Sequence, residues 1–339
     1  MPTTHYRRCL IATLLFIATI AAAAQSTPAD LLARISAETD LTSIQRPWHL
    51  KLAITIFDAN GKNPIEGSVE YWRDGKNSLR NTTLGDITYT VLEQDNKFFA
   101  QPVSSDTTDA AEDFIAIFLH PTPVAAESAL ANLSLVKQTL KKAPFDCLVL
   151  APQHPDRQSR PFEPFTTYCL NPTSGNLNLA FTPGDGQFAI DRSGKFQDHI
   201  VPVDFSLGEN GFLMAHGNVT EMSAFTPTPD FFALRPDLPL AQVRRTRISS
   251  GVSAGIKLAG DNPVYPREAR ASHIQGTVTL HALIGRDGRI RRLGVLSTPD
   301  ISLSTAALDA VRTWRYKPYL LNGAPVVFDT TIVVNFYLN

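Results

Sequence analysis

The sequence predicts an α+β protein: an N-terminal, predominantly antiparallel β domain with a few helices, then a small C-terminal domain built from a β-hairpin, one helix and a long final strand. Three observations predict it. Short runs with strand-like composition recur from Trp48 to His216, separated by turn dipeptides such as Asn60-Gly61, Asp74-Gly75, Gly85-Asp86 and Asp95-Asn96. Between them lies a stretch of helical character near Asp109 to Leu119. From Tyr265 onward the rhythm becomes strand, turn, strand, helix, strand within seventy-five residues. A chain of 339 residues suits about two domains, and 43% apolar with 19% charged residues is ordinary globular composition.

At the N-terminus His5, Arg7 and Arg8 precede an apolar run from Cys9 to Ala24. Sixteen residues fall short of the roughly 20 that span a bilayer as a helix, and the alanines offer A-x-A cleavage patterns. Residues 1–24 are therefore expected to be a secretory signal peptide, with an uncleaved anchor as the alternative. After cleavage Cys147 and Cys169 remain. Each lies in a strand-like run, and in an exported protein the pair is expected to form a disulfide. Closing that loop contributes about 3 kcal/mol in the chain-entropy account.

The mature chain opens with a short helix, Thr27 capping and Pro28 in its first turn. Strands are then expected over Trp48–Asp58, Ile65–Arg73, Asn77–Thr83, Ile87–Glu93 and Lys97–Gln101, an antiparallel meander. A helix over Asp109–Leu119 and another over Val124–Leu130 interrupt it, and strands resume from Leu133 to His216. The stretch Phe225–Leu234 ends this domain, which is placed at 25–238, with a linker at 239–262.

In the C-terminal domain, placed at 263–339, Val278, Leu280, Ala282 and Ile284 alternate with Thr277, Thr279, His281 and Leu283, the period of a strand with one buried face. Asp287-Gly288 predicts a two-residue type I′ hairpin with Ile290–Leu296 returning. Ser302 is positioned to cap a helix whose Leu303, Ala307, Val311 and Trp314 share a face. Pro318 closes that helix, and Gly323 turns the chain into a strand from Val326 to Leu338. One face of this strand carries Phe328, Thr330, Ile332, Val334 and Phe336. The other carries Val327, Asp329, Thr331, Val333, Asn335 and Tyr337. With few strands, an edge is left unpaired, and an unpaired edge is a template for another chain's strand.

Tyr265-Pro266, Gly276, Asp287-Gly288, Trp314-Arg315-Tyr316-Lys317-Pro318, Gly323 and Pro325 stand in an order and spacing that resembles the C-terminal domain of TonB-family energy transducers. The resemblance implies a periplasmic module whose final strand pairs with a TonB-box-like peptide of an outer-membrane receptor. It also implies inner-membrane motor partners if the chain is anchored. It assigns the partner-binding role to Val327, Asp329, Thr331, Val333, Asn335 and Tyr337. The family's long Pro-rich spacer is missing, since residues 239–262 reach only about 70 Å at 3.1 Å per residue. Gly67-Ser68-Val69-Glu70-Tyr71-Trp72 and Tyr168-Cys169-Leu170-Asn171-Pro172, within a strand-rich order around a helical middle, resemble more loosely the LolA-type lipoprotein-carrier fold. That likeness implies a curved sheet whose concave face holds an apolar ligand, against the alternative of a filled core.

Catalytic and cofactor motifs are weak. Gly251-Val252-Ser253-Ala254-Gly255 fits the G-x-S-x-G pattern, but no strand is expected before it or helix after it. The eight histidines show no metal spacing, and no enzyme, metal or cofactor is expected. Asp106, Asp109, Glu112 and Asp113 read as a solvated acidic patch, and Arg286, Arg289, Arg291 and Arg292 as a solvated hairpin or a site for an acidic partner segment or peptidoglycan. A net charge of −1 argues against nucleic acid.

Overall fold

A computed structural model describes residues 26–338 except 59–60, 102–104, 123–132, 141–142, 151–165, 183–185, 210–211 and 242–244. The expected signal segment and the helix expected over Val124–Leu130 lie outside the described residues. No described helix is long and apolar enough to cross a membrane.

The N-terminal domain begins with α1 (Pro28–Thr39), where Thr27 and Asp30 form a reciprocal capping box ahead of Leu32 and Ile35, both buried. Strands β1 (Trp48–Ile56), β2 (Ile65–Asp74), β3 (Asn77–Leu84), β4 (Ile87–Gln94) and β5 (Lys97–Ala100) follow as the expected meander. Then come α2 (Asp106–Leu119), capped by Ser105, and β6 (Leu133–Leu140), β7 (Ala143–Leu150), β8 (Thr166–Leu170), β9 (Leu177–Thr182), β10 (Gly186–Phe196), β11 (His199–Glu209) and β12 (Phe212–Ala224). All twelve form one antiparallel sheet, ordered β5-β4-β3-β2-β1-β12-β11-β10-β9-β8-β7-β6.

Strands from both wings of this sheet meet α1 and α2 in one core. Tyr71 and Tyr89 come from one side, Leu148 and Tyr168 from the other. The sheet therefore curls around the helices, as twist in a long antiparallel sheet allows. Phe118 stacks on Phe205 at 4.7 Å, with Phe114 and Phe188 at 5.3 and 5.4 Å from the same ring. A Cβ on Gly217 would stand 2.5 Å from the Phe205 ring, which explains a glycine inside a strand. This inner face is packed with aromatics beneath α2. On the opposite face Cys147 and Cys169 sit directly across from each other on β7 and β8, and a disulfide joins them beside Val149 and Leu179.

Residues 245–259, expected as linker, are built into the C-terminal module. Strand β13 (Arg245–Arg247), helix α3 (Ser250–Gly255) and β14 (Lys257–Ala259) precede α4 (Arg267–Ala271), β15 (Gly276–Ile284), β16 (Ile290–Ser297) and α5 (Ile301–Arg312). Short strands β17 (Arg315–Tyr316), β18 (Leu320–Leu321) and β19 (Ala324–Pro325) lead to β20 (Val327–Phe336). The module's sheet runs β13-β20-β15-β16, with α5 packing Leu303, Ala307 and Val311 on its inner face.

Local details depart from the sequence reading. The hairpin is not a type I′ turn at Asp287-Gly288, because only Gly288 has positive φ, at +74°. Gly288 N–H donates to Gly285 O, and Gly285 N–H to Arg289 O. The result is a three-residue loop ending in a left-handed glycine. Tyr316 fixes that choice: its N–H donates to Gly288 O, and a Cβ at 288 would lie 1.8 Å from the Tyr316 carbonyl oxygen. Two consecutive positive-φ residues, as a type I′ turn requires, occur instead at Asn322-Gly323, between β18 and β19. The α5 cap is Asp300, whose carboxylate accepts from Ser302 N–H at 2.8 Å, so Ser302 lies inside the first turn. The helix ends at Arg312, and Arg315-Tyr316 pairs as a strand with Lys257–Ala259 rather than ending the helix.

Candidate functional site: a half-open strand edge beside a domain junction

The family-motif residues stand in the module as supports. Tyr265 OH donates to Ile274 O at 2.6 Å and meets Phe336 edge-on at 5.6 Å, while Pro266 opens α4. Trp314 donates its indole N–H to Asp261 O at 2.8 Å, with the Lys257 ammonium 3.4 Å above its ring. Gly276 starts β15, Tyr316 is buried against Phe328, Pro318 is exposed after β17, and Pro325 pairs with Leu320. Burial pushes the Tyr316 phenol well above its ordinary range. Tyr265 and Tyr316 brace β20 through Phe336 and Phe328.

Strand β20 pairs along its whole length with β15, from Phe328 opposite Ile284 to Phe336 opposite Gly276, without a register shift. Its other edge pairs with β13 only at Val327, Phe328 and Asp329, in parallel. Ile248 N–H donates to Asp329 O at 2.9 Å, so the Asp329 backbone faces that outer edge. Backbone direction alternates along a strand. Thr331, Val333 and Asn335 therefore turn their N–H and C=O toward the same edge, where no described strand pairs with them.

The six residues assigned from the sequence divide along the strand. Phe328, Thr330, Ile332, Val334 and Phe336 are all buried, as expected of the inner face. On the outer face, Val327 and Asp329 are also buried, at 8% and 7% exposure, whereas Val333 and Tyr337 are 49% and 63% exposed. Thr331 is half-buried and Asn335 exposed. Val327 lines the junction with the N-terminal domain, while the Asp329 carboxylate lies 2.8 Å from His281 Nε2 on the neighbouring strand. Helix α2 lies against the β15–β16 hairpin, where Arg286 pairs with Asp109 and Arg292 with Asp113 at 3.1 Å. Leu283, expected on an open face, is 4% exposed for the same reason.

The acidic and basic patches, read from sequence as separately solvated, thus answer each other. Asp109 and Asp113 are four apart and share a helix face. Glu112 turns inward to Arg80 and accepts from the Tyr89 hydroxyl at 2.9 Å. Burial alone would lower the Arg80 guanidinium, but Glu112, Tyr89 and Tyr71 outweigh it and hold the group above its usual range. One helix is therefore pinned to its own core and to the module. Among the described residues, Arg289 and Arg291 pair with Asp287 of their own hairpin.

A cavity of about 300 Å³ lies at this junction. Ile56, Ile65, Leu207 and Met214 line it from the sheet, Ala110 from α2, and Leu283 and Val327 from the module. Asp58 and Glu209 stand at it beside the paired Asp109 and Asp113. Ser253 of the G-x-S-x-G match, in contrast, is buried in a six-residue helix, donating to Ser250 O and accepting from Thr330. That helix was not expected from the sequence, and it buries the Ser253 hydroxyl.

The module is thus a small sheet with one helix layer, and no described strand pairs with part of the outer edge of its last strand. Residues 261–338 match the family model described as Gram-negative bacterial TonB protein C-terminal, so this part of the chain is a TonB C-terminal domain. Protein TonB of Vibrio cholerae is 34% identical over 77 residues, covering 22% of this chain and 32% of that protein. Protein TonB of Xanthomonas campestris is 30% identical over 94 residues, covering 26% and 42%. The chain thus spans less than half the length of these curated relatives. The solved C-terminal domain of Pseudomonas aeruginosa TonB is 33% identical, covering 24% of this chain and 85% of its own, with a TM-score of 0.22. A LolA superfamily protein from Nitrosomonas europaea covers 60% of this chain and 97% of its own at 10% identity, with a TM-score of 0.37.

Proposed function

We propose that this is an exported, periplasmic protein that captures an extended peptide of an outer-membrane partner by adding it as a strand to β20. The observation that carries the reading is the row of backbone groups at Thr331, Val333 and Asn335 on an edge without a described partner strand. Main-chain hydrogen bonds supply the affinity of such an arrangement, and alternate side chains supply the choice of partner. Val333, Asn335 and Tyr337 are the exposed side chains beside the row. If the chain keeps its N-terminal anchor, inner-membrane motor proteins become partners and the capture transmits force.

Hydrogen exchange tests this residue by residue. Added receptor peptide is expected to protect the Thr331, Val333 and Asn335 amides, while Ile332, Val334 and Phe336, already facing β15, change little. Protection confined to the β16 edge would refute the site.

The junction cavity favours a second reading, a soluble carrier or scaffold for an apolar ligand. Its aliphatic walls and volume suit a small apolar molecule, and cavities of about 290 and 410 Å³ also lie between α2 and the inner face of the sheet. Mass spectrometry of molecules co-purifying with the full chain separates the two: an empty protein speaks against the carrier.

A further inference from the structure

The outer edge of β20 is used at one end by the chain itself, and we infer that Arg245–Ile248 is a built-in competitor for the segment this edge captures. The inference rests on the strand-addition reading above. Arg245, Thr246 and Arg247 lie opposite Val327, Phe328 and Asp329, and Ile248 N–H bonds Asp329 O. Val327 and Asp329 present their backbone groups in the same row as Thr331, Val333 and Asn335. A peptide confined to Thr331–Asn335 leaves β13 in place. One that runs the length of the strand takes the lane β13 occupies.

The competitor is anchored, yet short. Ile248 is 8% exposed in the module's core, and Ser249 caps α3, whose Ser253 accepts a hydrogen bond from Thr330 at 2.9 Å. Against that, the paired stretch is three residues long, Thr246 is half-buried and Arg247 is exposed. Upstream, the chain is tied to the N-terminal domain: Ala100 N–H donates to Pro239 O and Ala241 N–H to Phe98 O, which extends the β5 edge. A segment tethered on both sides acts at an effective concentration on the order of millimolar. It therefore screens weak or short segments from the Val327 end and yields to a partner able to pair along the whole edge.

The test uses the full chain and a labelled heptapeptide copying residues 245–251. Thr246→Pro removes an N–H facing β20, and Ile248→Gly removes the core anchor, so the two variants free the lane by different routes. Circular dichroism checks that each remains folded. Both are expected to bind the peptide roughly tenfold more tightly than the parent, because the binding-competent fraction rises. In the parent, excess peptide is expected to strip the Ile248 amide of its exchange protection. Equal binding in all three chains, with Ile248 protected throughout, overturns the competitor and leaves the edge reading standing. Binding in none overturns it as well, and capture of receptor peptide by a Val333→Pro variant then shows whether the edge reading falls too.

Discussion

In the N-terminal domain a twelve-stranded sheet curls around α2, and Phe114, Phe118, Phe188 and Phe205 fill the space between. The four-stranded sheet of the C-terminal module carries α5 and the short α3 on its inner face, and no described strand pairs with part of the outer edge of its last strand. In the large region Glu112 answers Arg80 inside, and the β5 edge is extended by the chain's own Pro239–Ala241. The small region keeps backbone donors and acceptors in reserve. On the strand-addition reading, stability and recognition fall to different parts of one chain, and a substitution should tell them apart.

The largest expected effect is on the filled core. Phe205→Ala should cost about 3–5 kcal/mol of N-terminal domain stability, seen as a lower midpoint in denaturant unfolding, while peptide capture by the module persists. Loss of capture with the module still folded would mean the division between regions is false. Replacing Cys147 and Cys169 together by alanine should cost about 3 kcal/mol in the same domain and again spare capture. In the module, Gly288→Val sets a side chain against the Tyr316 carbonyl at a left-handed position. It should cost at least about 2 kcal/mol, read as a lower melting temperature of the module transition.

A smaller effect tests whether the regions act as one body. Arg286→Glu places like charges at Asp109 and should weaken docking by about 1–2 kcal/mol. Small-angle scattering should then report a larger radius of gyration, and an unchanged radius would mean that the ion pairs do not hold the junction. Tyr337→Ala, at 63% exposure, should move stability by less than about 0.5 kcal/mol. Any change in capture would therefore report contact with the peptide.

Much of this was legible in the residues. Alternation through Phe328–Phe336 gave the inner face of β20 because one face of that strand is buried by α5 and the pattern has period two. The Cys147–Cys169 bridge was legible because both cysteines lie in strand-like runs of an exported chain. Three features were not legible, each for a long-range reason. Gly288 answers Tyr316, twenty-eight residues away, so a dipeptide rule for Asp287-Gly288 could not choose the turn. Asp109 and Asp113 meet Arg286 and Arg292 only once two domains dock, and either cluster alone looks like solvated charge. The segment Arg245–Ile248 carries a weak signal, β-branched Thr246 and Ile248 alternating with arginines, but a three-residue strand has too little pattern to stand out beside small linker-like residues. Burial of Val327 and Leu283 follows from the same docking and that of Asp329 from His281 beside it, which is why two of the six expected partner residues are covered.

The most direct test sets two neighbouring prolines against each other. In Val333→Pro the lost N–H faces the open edge, where proline is tolerated; in Val334→Pro it faces β15, and the ladder is broken. Receptor peptide is titrated into the full chain and both variants by fluorescence anisotropy, with the melting of each recorded alongside. The expected result is that Val333→Pro melts close to the parent and loses capture, whereas Val334→Pro loses the module's fold. Capture undiminished in a folded Val333→Pro chain would contradict strand addition at this edge.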